Sequence, residues 1–225
     1  MAAIRSDKVI VAKLLISRGA DVTVVDKDGN SCLHLSVNIS SLDLTKQLLP
    51  MGLDINQANN EGNTPLILAS QLQNNELVKL LIANGADITI ENRTGYSCIH
   101  VAAEGNLEDI ISELVSKGAD LNKETLRGDT PLFLHIQNGY SQSNITKLLV
   151  DNGADVTKIE SRSGNSCLHL AASTVDNVIV EVLLTTEVNI NLQNTAGDTP
   201  LHLAVQRGHW GITELILAKG ADVTI

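Results

Sequence analysis

Three pairs of side chains offer metal or thiol chemistry: Cys32 with His34, Cys98 with His100, and Cys167 with His169. Thiolate and imidazole are ordinary zinc ligands, but a structural zinc needs four of them converging on one point. Each pair supplies two ligands, and the pairs lie far apart in the chain. A thiol at a helix start can have a lowered pKa, which leaves mild reactivity open beside a buried, inert role. The same segments, Gly29-Asn-Ser-Cys-Leu33, Gly95-Tyr-Ser-Cys-Ile99 and Gly164-Asn-Ser-Cys-Leu168, resemble the opening of a Gly-x-Ser-x-Gly nucleophile elbow. Leu33, Ile99 and Leu168 stand where its closing glycine belongs, and the strand-turn-helix context is missing. There is no Gly-rich phosphate loop and no zinc-protease His pair. The sequence therefore reads as a non-enzyme without metal or cofactor.

What positions these segments is a repeat. Gly29, Gly62, Gly95 and Gly128 are spaced by 33 residues, Gly164 follows after 36, and Gly197 after a further 33. A second series runs Gly19, Gly52, Gly85, Gly118, Gly153 and Gly220, with Glu187 at the missing place. The fullest copy is Gly197-Asp-Thr-Pro-Leu-His-Leu-Ala-Val-Gln-Arg-Gly-His209. Thr199 is placed to cap a helix, and Pro200 sits at the first helical position, where its missing N–H is harmless. Leu201, Leu203 and Ala204 share one side of that helix, and Gly208 can end it in the left-handed region. A second apolar run, Ile212, Leu215, Ile216 and Leu217, predicts a second helix, after which Gly220-Ala-Asp-Val223 leads into a turn.

Thr-Pro-Leu-His, Gly-His and Gly-Ala-Asp-Val at this spacing resemble the ankyrin repeat, and the resemblance covers essentially the whole chain. It implies an all-α solenoid of stacked antiparallel helix pairs linked by β-hairpin-like loops, concave on the side of the loops and first helices. It also implies that the motif His hydrogen-bonds within and between repeats. One domain over residues 1–225 is expected, with repeats near 1–25 (incomplete), 26–58, 59–91, 92–124, 125–160, 161–193 and 194–225. Helices this short are unstable alone, because nucleation is unfavourable, whereas stacking buries a continuous apolar seam.

The bulk properties agree. The chain is 43% hydrophobic with only 2% aromatic residues, so its core must be aliphatic. A net charge of −10 argues against nucleic acid or an anionic membrane surface as partner. No signal peptide and no run of about 18 apolar residues is seen, which points to a cytoplasmic or nuclear protein. Asn38-Ile-Ser, Asn92-Arg-Thr and Asn144-Ile-Thr then read as chance matches to the glycosylation pattern.

Superimposed on the repeat is a period of two. Repeats two, four and six begin Ser-Cys-[Leu/Ile]-His at Ser31, Ser97 and Ser166; repeats three, five and seven begin Thr-Pro at Thr64, Thr130 and Thr199. Even repeats end in Asn56, Asn122 and Asn191, odd ones in Thr23, Thr89, Thr157 and Thr224. This suggests growth by copying a two-repeat block. It also explains the three cysteines. Neighbouring helices are roughly 8–10 Å apart, so cysteines two repeats apart are beyond the ~7 Å reach of a disulfide. Leu48, Leu114 and Leu183 lie eight residues before the three asparagines, which looks like the pattern hydroxylated in ankyrin proteins. The competing role is an Asn bonded within its own turn.

Two irregularities stand out. Repeat five has two extra residues within Gly139–Ile145, and one more falls within Gly153–Gly164. Both read as tolerated insertions, or the first as a recognition bulge displaying Tyr140. Phe133 replaces the motif His while His135 replaces a small Ala, a compensated packing swap or a local binding feature.

A protein partner is the expected ligand, on the concave surface. Residues holding the stack recur, so specificity should lie in what varies at the hairpin tips: Asp26, Lys27 and Asp28; Asn59, Asn60 and Glu61; Asn92 and Arg93; Thr125, Leu126 and Arg127; Ser161 and Arg162; Asn194 and Thr195. Gln71, Glu104, Gln137, Ser173 and Gln206 add candidates on the first helices. Tyr96, Tyr140 and Trp210 join them because aromatics are enriched at binding hot spots; packing at the inter-helix turn is the alternative for Trp210. An adaptor or scaffold is the leading reading. A targeting or regulatory segment of a larger enzyme, channel, effector or toxin is the rival, and a spacer the third. The first repeat begins near the end of its first helix and the last stops in its hairpin with apolar Ile212, Leu215 and Ile216. The expectation is a piece of a longer array, or association through the ends.

Overall fold

A computed structural model describes residues 1–140 and 144–225, and every described α-helix belongs to a pair. The contacts divide the chain into two units, Met1–Ala119 and Asp120–Ile225. In the first, repeat one holds α1 (Ala2–Arg5) and α2 (Val9–Ser17), and repeat two α3 (Cys32–Asn38) and α4 (Leu42–Leu48). Repeat three holds α5 (Pro65–Gln71) and α6 (Asn75–Ala83), repeat four α7 (Cys98–Glu104) and α8 (Glu108–Ser116). The second unit contains α9 (Pro131–Gln137) and α10 (Ile145–Asp151), then α11 (Cys167–Ala172) and α12 (Asn177–Leu183). Its last pair is α13 (Pro200–Arg207) and α14 (Trp210–Ala218).

The first helices start where the capping chemistry requires. Thr64, Thr130 and Thr199 each accept a bond on their hydroxyl from the N–H three residues on, ahead of a proline at the first helical position. In even repeats Ser31 and Ser166 do the same, and the histidine three residues on reaches back to the serine N–H. Gly208, at φ 71°, ends α13 in the left-handed region as expected.

Within each unit first helices pack on first helices and second on second. The seam is aliphatic: Leu33, Leu66, Leu132 and Leu168 from first helices, and Leu48, Leu81, Leu114 and Leu183 from second helices, are buried. Each helix is at most nine residues, so packing rather than propensity holds it. The expected β character of the hairpins is confined, among the described residues, to one isolated bridge between Ile159 and Ser166. The other loops are closed by turn bonds too short to build a ladder.

Candidate functional site

Five of the hairpins are locked by their first polar residue, Asp26, Asn59, Asn92, Thr125 or Asn194. Asp26 Oδ1 accepts from the backbone N–H of Asp28 and Asn30, at 2.9 and 2.8 Å. Asn59 and Asn92 repeat this with the residues two and four further on, as does Asn194. Asp26 additionally pairs with Arg5 at 2.6 Å. Burial raises its pKa, but the Arg5 bond and those from Asn30 and Asp28 outweigh it, holding the carboxyl well below the usual range.

Successive hairpins are then bonded together. Asn60 N–H donates to Asp28 O at 2.9 Å, Arg93 N–H to Glu61 O at 3.0 Å, and Thr195 N–H to Ser163 O at 2.9 Å. Side-chain amides add a parallel line: Asn59 Nδ2 donates to Asn30 Oδ1, Asn92 to Asn63, and Asn194 to Asn165, each at 2.9 Å. The approach is close enough to demand glycine. A Cβ on Gly29 (φ 76°) would lie 2.6 Å from Asn60 Oδ1, and one on Gly62 (φ 81°) 2.7 Å from Arg93 N. Repeat six takes its extra residue in a wider loop, with Gly164 N–H donating to Glu160 O rather than to the residue three before it.

The two-repeat period has a physical origin in bonds from even to odd repeats. Ser31 N–H donates to His34 Nδ1, so the ring proton is on Nε2, which donates to Asn63 O of repeat three at 2.9 Å. His169 Nε2 likewise donates to Asp198 O of repeat seven at 3.0 Å. Burial pushes both imidazoles below their ordinary pKa, against the carbonyl bonds that raise it. Asn56 Oδ1 accepts from Asp87 N–H at 2.8 Å, Asn122 from Asp155 at 2.6 Å, and Asn191 from Asp222 at 2.9 Å. The carboxylate of each of those aspartates is in turn bonded by the odd repeat's Thr89, Thr157 or Thr224. Asn and Thr alternate because they are the two ends of one network. The asparagine side chain thus reaches the next repeat, whereas the sequence suggested a bond within its own turn.

The cysteines are buried and free. Burial raises Cys32, and pushes Cys98 and Cys167 up to about 12, so the mild reactivity that a helix start allows is overridden. Among the described residues no three His, Cys, Asp or Glu side chains gather where they could hold a metal ion. No described helix is long and apolar enough to cross a membrane.

The candidate partner residues separate into two groups. Lys27, Asp28, Asn60, Glu61 and Arg93 are exposed on the hairpins of the first unit, and Arg127 and Arg162 on those of the second. Tyr96 is half-buried, tilted against His100 with ring centroids 5.8 Å apart. Tyr140 and Trp210 lie elsewhere, at the opposite end of their first helices from the hairpin. Tyr140 is half-buried and stacks on the fully buried His135 at 6.0 Å, so it packs inward. The neighbouring 141–143, where the extra residues of repeat five fall, lie outside the described residues. Phe133 fills the motif-His position, buried. Trp210 is 75% exposed at the start of α14. Leu126, another of the varied tip residues, is 77% exposed. The inter-repeat asparagine line went unread, although its signal was visible in Asn30, Asn63 and Asn165 recurring behind the hairpin glycine.

Family comparison meets this geometry at the level of the whole chain. The family model described as ankyrin repeats matches in three copies, over residues 1–92, 73–160 and 157–225. The chain belongs to the ankyrin-repeat family. Its sequence is 36% identical over 105 residues to an ankyrin repeat protein of fowlpox virus, covering 46% of this chain and 30% of the viral one. It is 35% identical over 81 residues to the E3 ubiquitin-protein ligase KEG of Arabidopsis thaliana, 36% of this chain and 5% of the ligase. Against the mouse nuclear factor NF-kappa-B p105 subunit the figures are 40% over 77 residues, 33% and 8%. The matched stretches thus cover less than a third of each relative's length.

Proposed function

We propose that this ankyrin-repeat chain is a protein-binding module, an adaptor or scaffold, that engages a protein partner through its hairpin tips and the exposed sides of its first helices. One observation carries this reading. The turn residues Asp26, Asn59, Asn92 and Asn194 spend their side chains on fixing the loops, and the amides between hairpins fix their spacing. The residues between them are exposed and vary among the repeats: Lys27 and Asp28, Asn60 and Glu61, Arg93, Leu126 and Arg127, Arg162. A rigid frame that displays varied side chains at fixed intervals loses little entropy on binding, the general advantage of preorganisation. The −10 charge favours partners with basic segments.

We take residues 1–225 as one such binding domain, acting in the cytoplasm or nucleus. A second reading, a targeting or regulatory segment of a larger protein, is favoured by one finding: the relatives include a ubiquitin ligase and a nuclear factor subunit in which the matched part is 5% and 8% of the length.

The test is affinity capture from source-cell lysate with the wild-type chain and with a control carrying Arg93→Glu, Leu126→Ser and Arg127→Glu. All three side chains are exposed, so the control folds normally. A partner retained by the wild type and lost by the control is the expected result. Equal recovery from both would move the site off these tips, and no specific partner would contradict the module.

A further inference from the structure

The turn between the two helices is built alike in most repeats and differently in repeat six. The eighth residue after the start of the first helix is Ser40, Gln73, Asn106, Gly139 or Gly208 in the other repeats from two to seven, always with φ between 51° and 71°. Repeat six has Val175 there, and a β-branched side chain is disfavoured in the left-handed region. Its φ is not positive, α11 has six residues where the other five first helices have seven or eight, and Val175 is left 75% exposed. Val178 follows in the first turn of α12, 44% exposed, and Trp210 starts α14, 75% exposed.

The turns of repeats six and seven touch. A Cβ on Gly211 would lie 2.7 Å from Asn177 Nδ2, and His209 Nε2 is 3.4 Å from Ser173 O. Val175, Val178 and Trp210 therefore form one apolar cluster across this repeat boundary. Its exposure is a property of the outer face. Asn177 holds the place of Trp210 in repeat six and is exposed although repeat seven follows it, and Val175 and Val178 have a repeat on either side.

The border of the cluster carries charge of one sign. α12 and α14 have one charged side chain each, Glu181 and Glu214, both exposed and one helical turn beyond Val178 and Trp210. Neither is ion-paired among the described residues. The cations of repeat seven stand elsewhere: Arg207 ends α13, on the first-helix side of the turn, and Lys219 follows the far end of α14. Asp176 is buried and accepts from Val178 N–H at 2.8 Å.

We infer that this face binds a basic amphipathic segment of a partner protein. An apolar side chain of that segment sits on Val175, Val178 and Trp210, and a lysine or arginine one turn along meets Glu181 and Glu214. Contiguous exposed apolar side chains mark interaction sites, and tryptophan is enriched at binding hot spots. The two carboxylates set the sign and register of the partner, because an acidic segment with the same apolar anchor would be repelled. The face lies at the other end of the helices from the hairpin tips, so either surface can fail without the other.

Trp210 is the only tryptophan of the chain, so its fluorescence reads this face directly. The probes are two synthetic helical peptides of equal apolar content, one of leucine and lysine and one of leucine and glutamate, titrated into the whole chain. The leucine–lysine peptide is expected to move the emission to shorter wavelength with saturation, and the leucine–glutamate peptide to leave it in place. Val175→Ser with Val178→Ser should weaken the leucine–lysine peptide about tenfold or more, which separates docking here from general attraction to a chain of charge −10. Glu181→Lys with Glu214→Lys should exchange the preference between the peptides. All four substituted side chains are exposed, and far-UV circular dichroism checks that both variants fold. No saturable shift with the leucine–lysine peptide would overturn the inference. So would equal binding of the two peptides, unchanged affinity in the serine variant, or a preference for the lysine peptide that survives the charge exchange.

Discussion

Two boundaries inside the first unit share one kind of apolar seam and differ in their polar bonds. Between repeats two and three, His34 donates to Asn63 O, Asn56 accepts from Asp87 N–H, and the hairpins add Asn60 to Asp28 and Asn59 to Asn30. Between repeats three and four the hairpin bonds recur, from Arg93 to Glu61 and from Asn92 to Asn63. There, however, Ile67 occupies the motif-His position and has no ring nitrogen to donate, and Thr89 closes on its own Asp87. The helices at the second boundary pack on each other as they do at the first. Apolar burial makes these repeats stack, and directed polar bonds group them in twos.

The largest expected effect treats the boundaries alike. Leu48→Ala and Leu81→Ala remove side chains that are both fully buried, and each should cost about 2–5 kcal/mol. Urea titration of both variants checks this. Losses differing by more than the spread of such cavities would mean that the seam itself is unequal, and the contrast could not be assigned to polar groups.

The next prediction separates them. His34→Ala leaves Asn63 O and Ser31 N–H unpaired in a buried site as well as opening a cavity, and should destabilise by about 2–4 kcal/mol. Ile67→Val at the matching position of repeat three should cost about 1 kcal/mol. The histidine bond also has a pH signature. Burial depresses the folded-state pKa of His34 and His169, so the unfolded chain binds protons first on acidification. Their contribution is complete above about pH 6.5 and declines as pH falls through that value. Midpoints measured between pH 8 and pH 5 should fall less for His34→Phe than for the wild type; an unchanged slope would show that the ring is not held neutral.

The smallest effect sharpens the contrast at the turns. Asn56→Ala removes the acceptor for Asp87 N–H and should cost about 0.5–1.5 kcal/mol. Combined with Thr89→Ala, the loss should be less than additive, because both side chains act on Asp87. Strict additivity would dissolve the network that links the even and odd repeats.

Much of this was legible in the sequence, and the reasons are local. Thr64-Pro65 and Thr199-Pro200 announce helix starts through the chemistry of the first turn, and the glycine periods give the register. The alternation of Asn56 with Thr89 was visible as a pattern, but its cause was not. The bond partners are 31 residues apart, and only the stacked geometry brings them together. The same limit applies to Tyr140, whose exposure depends on His135 beneath it, and to Leu126, whose exposure depends on where the turn aims it. The hairpin tips were legible as a set of positions, whereas the depth of each side chain belongs to the fold.

The buried thiols have one consequence for experiment. Cys32, Cys98 and Cys167 stand one per even repeat, and burial keeps each protonated at neutral pH, so a thiol-modifying reagent reaches them only when that part of the stack opens. Labelling rates at the three sites would therefore report the local opening free energy along the molecule, as hydrogen exchange does for amides, without introducing a foreign residue.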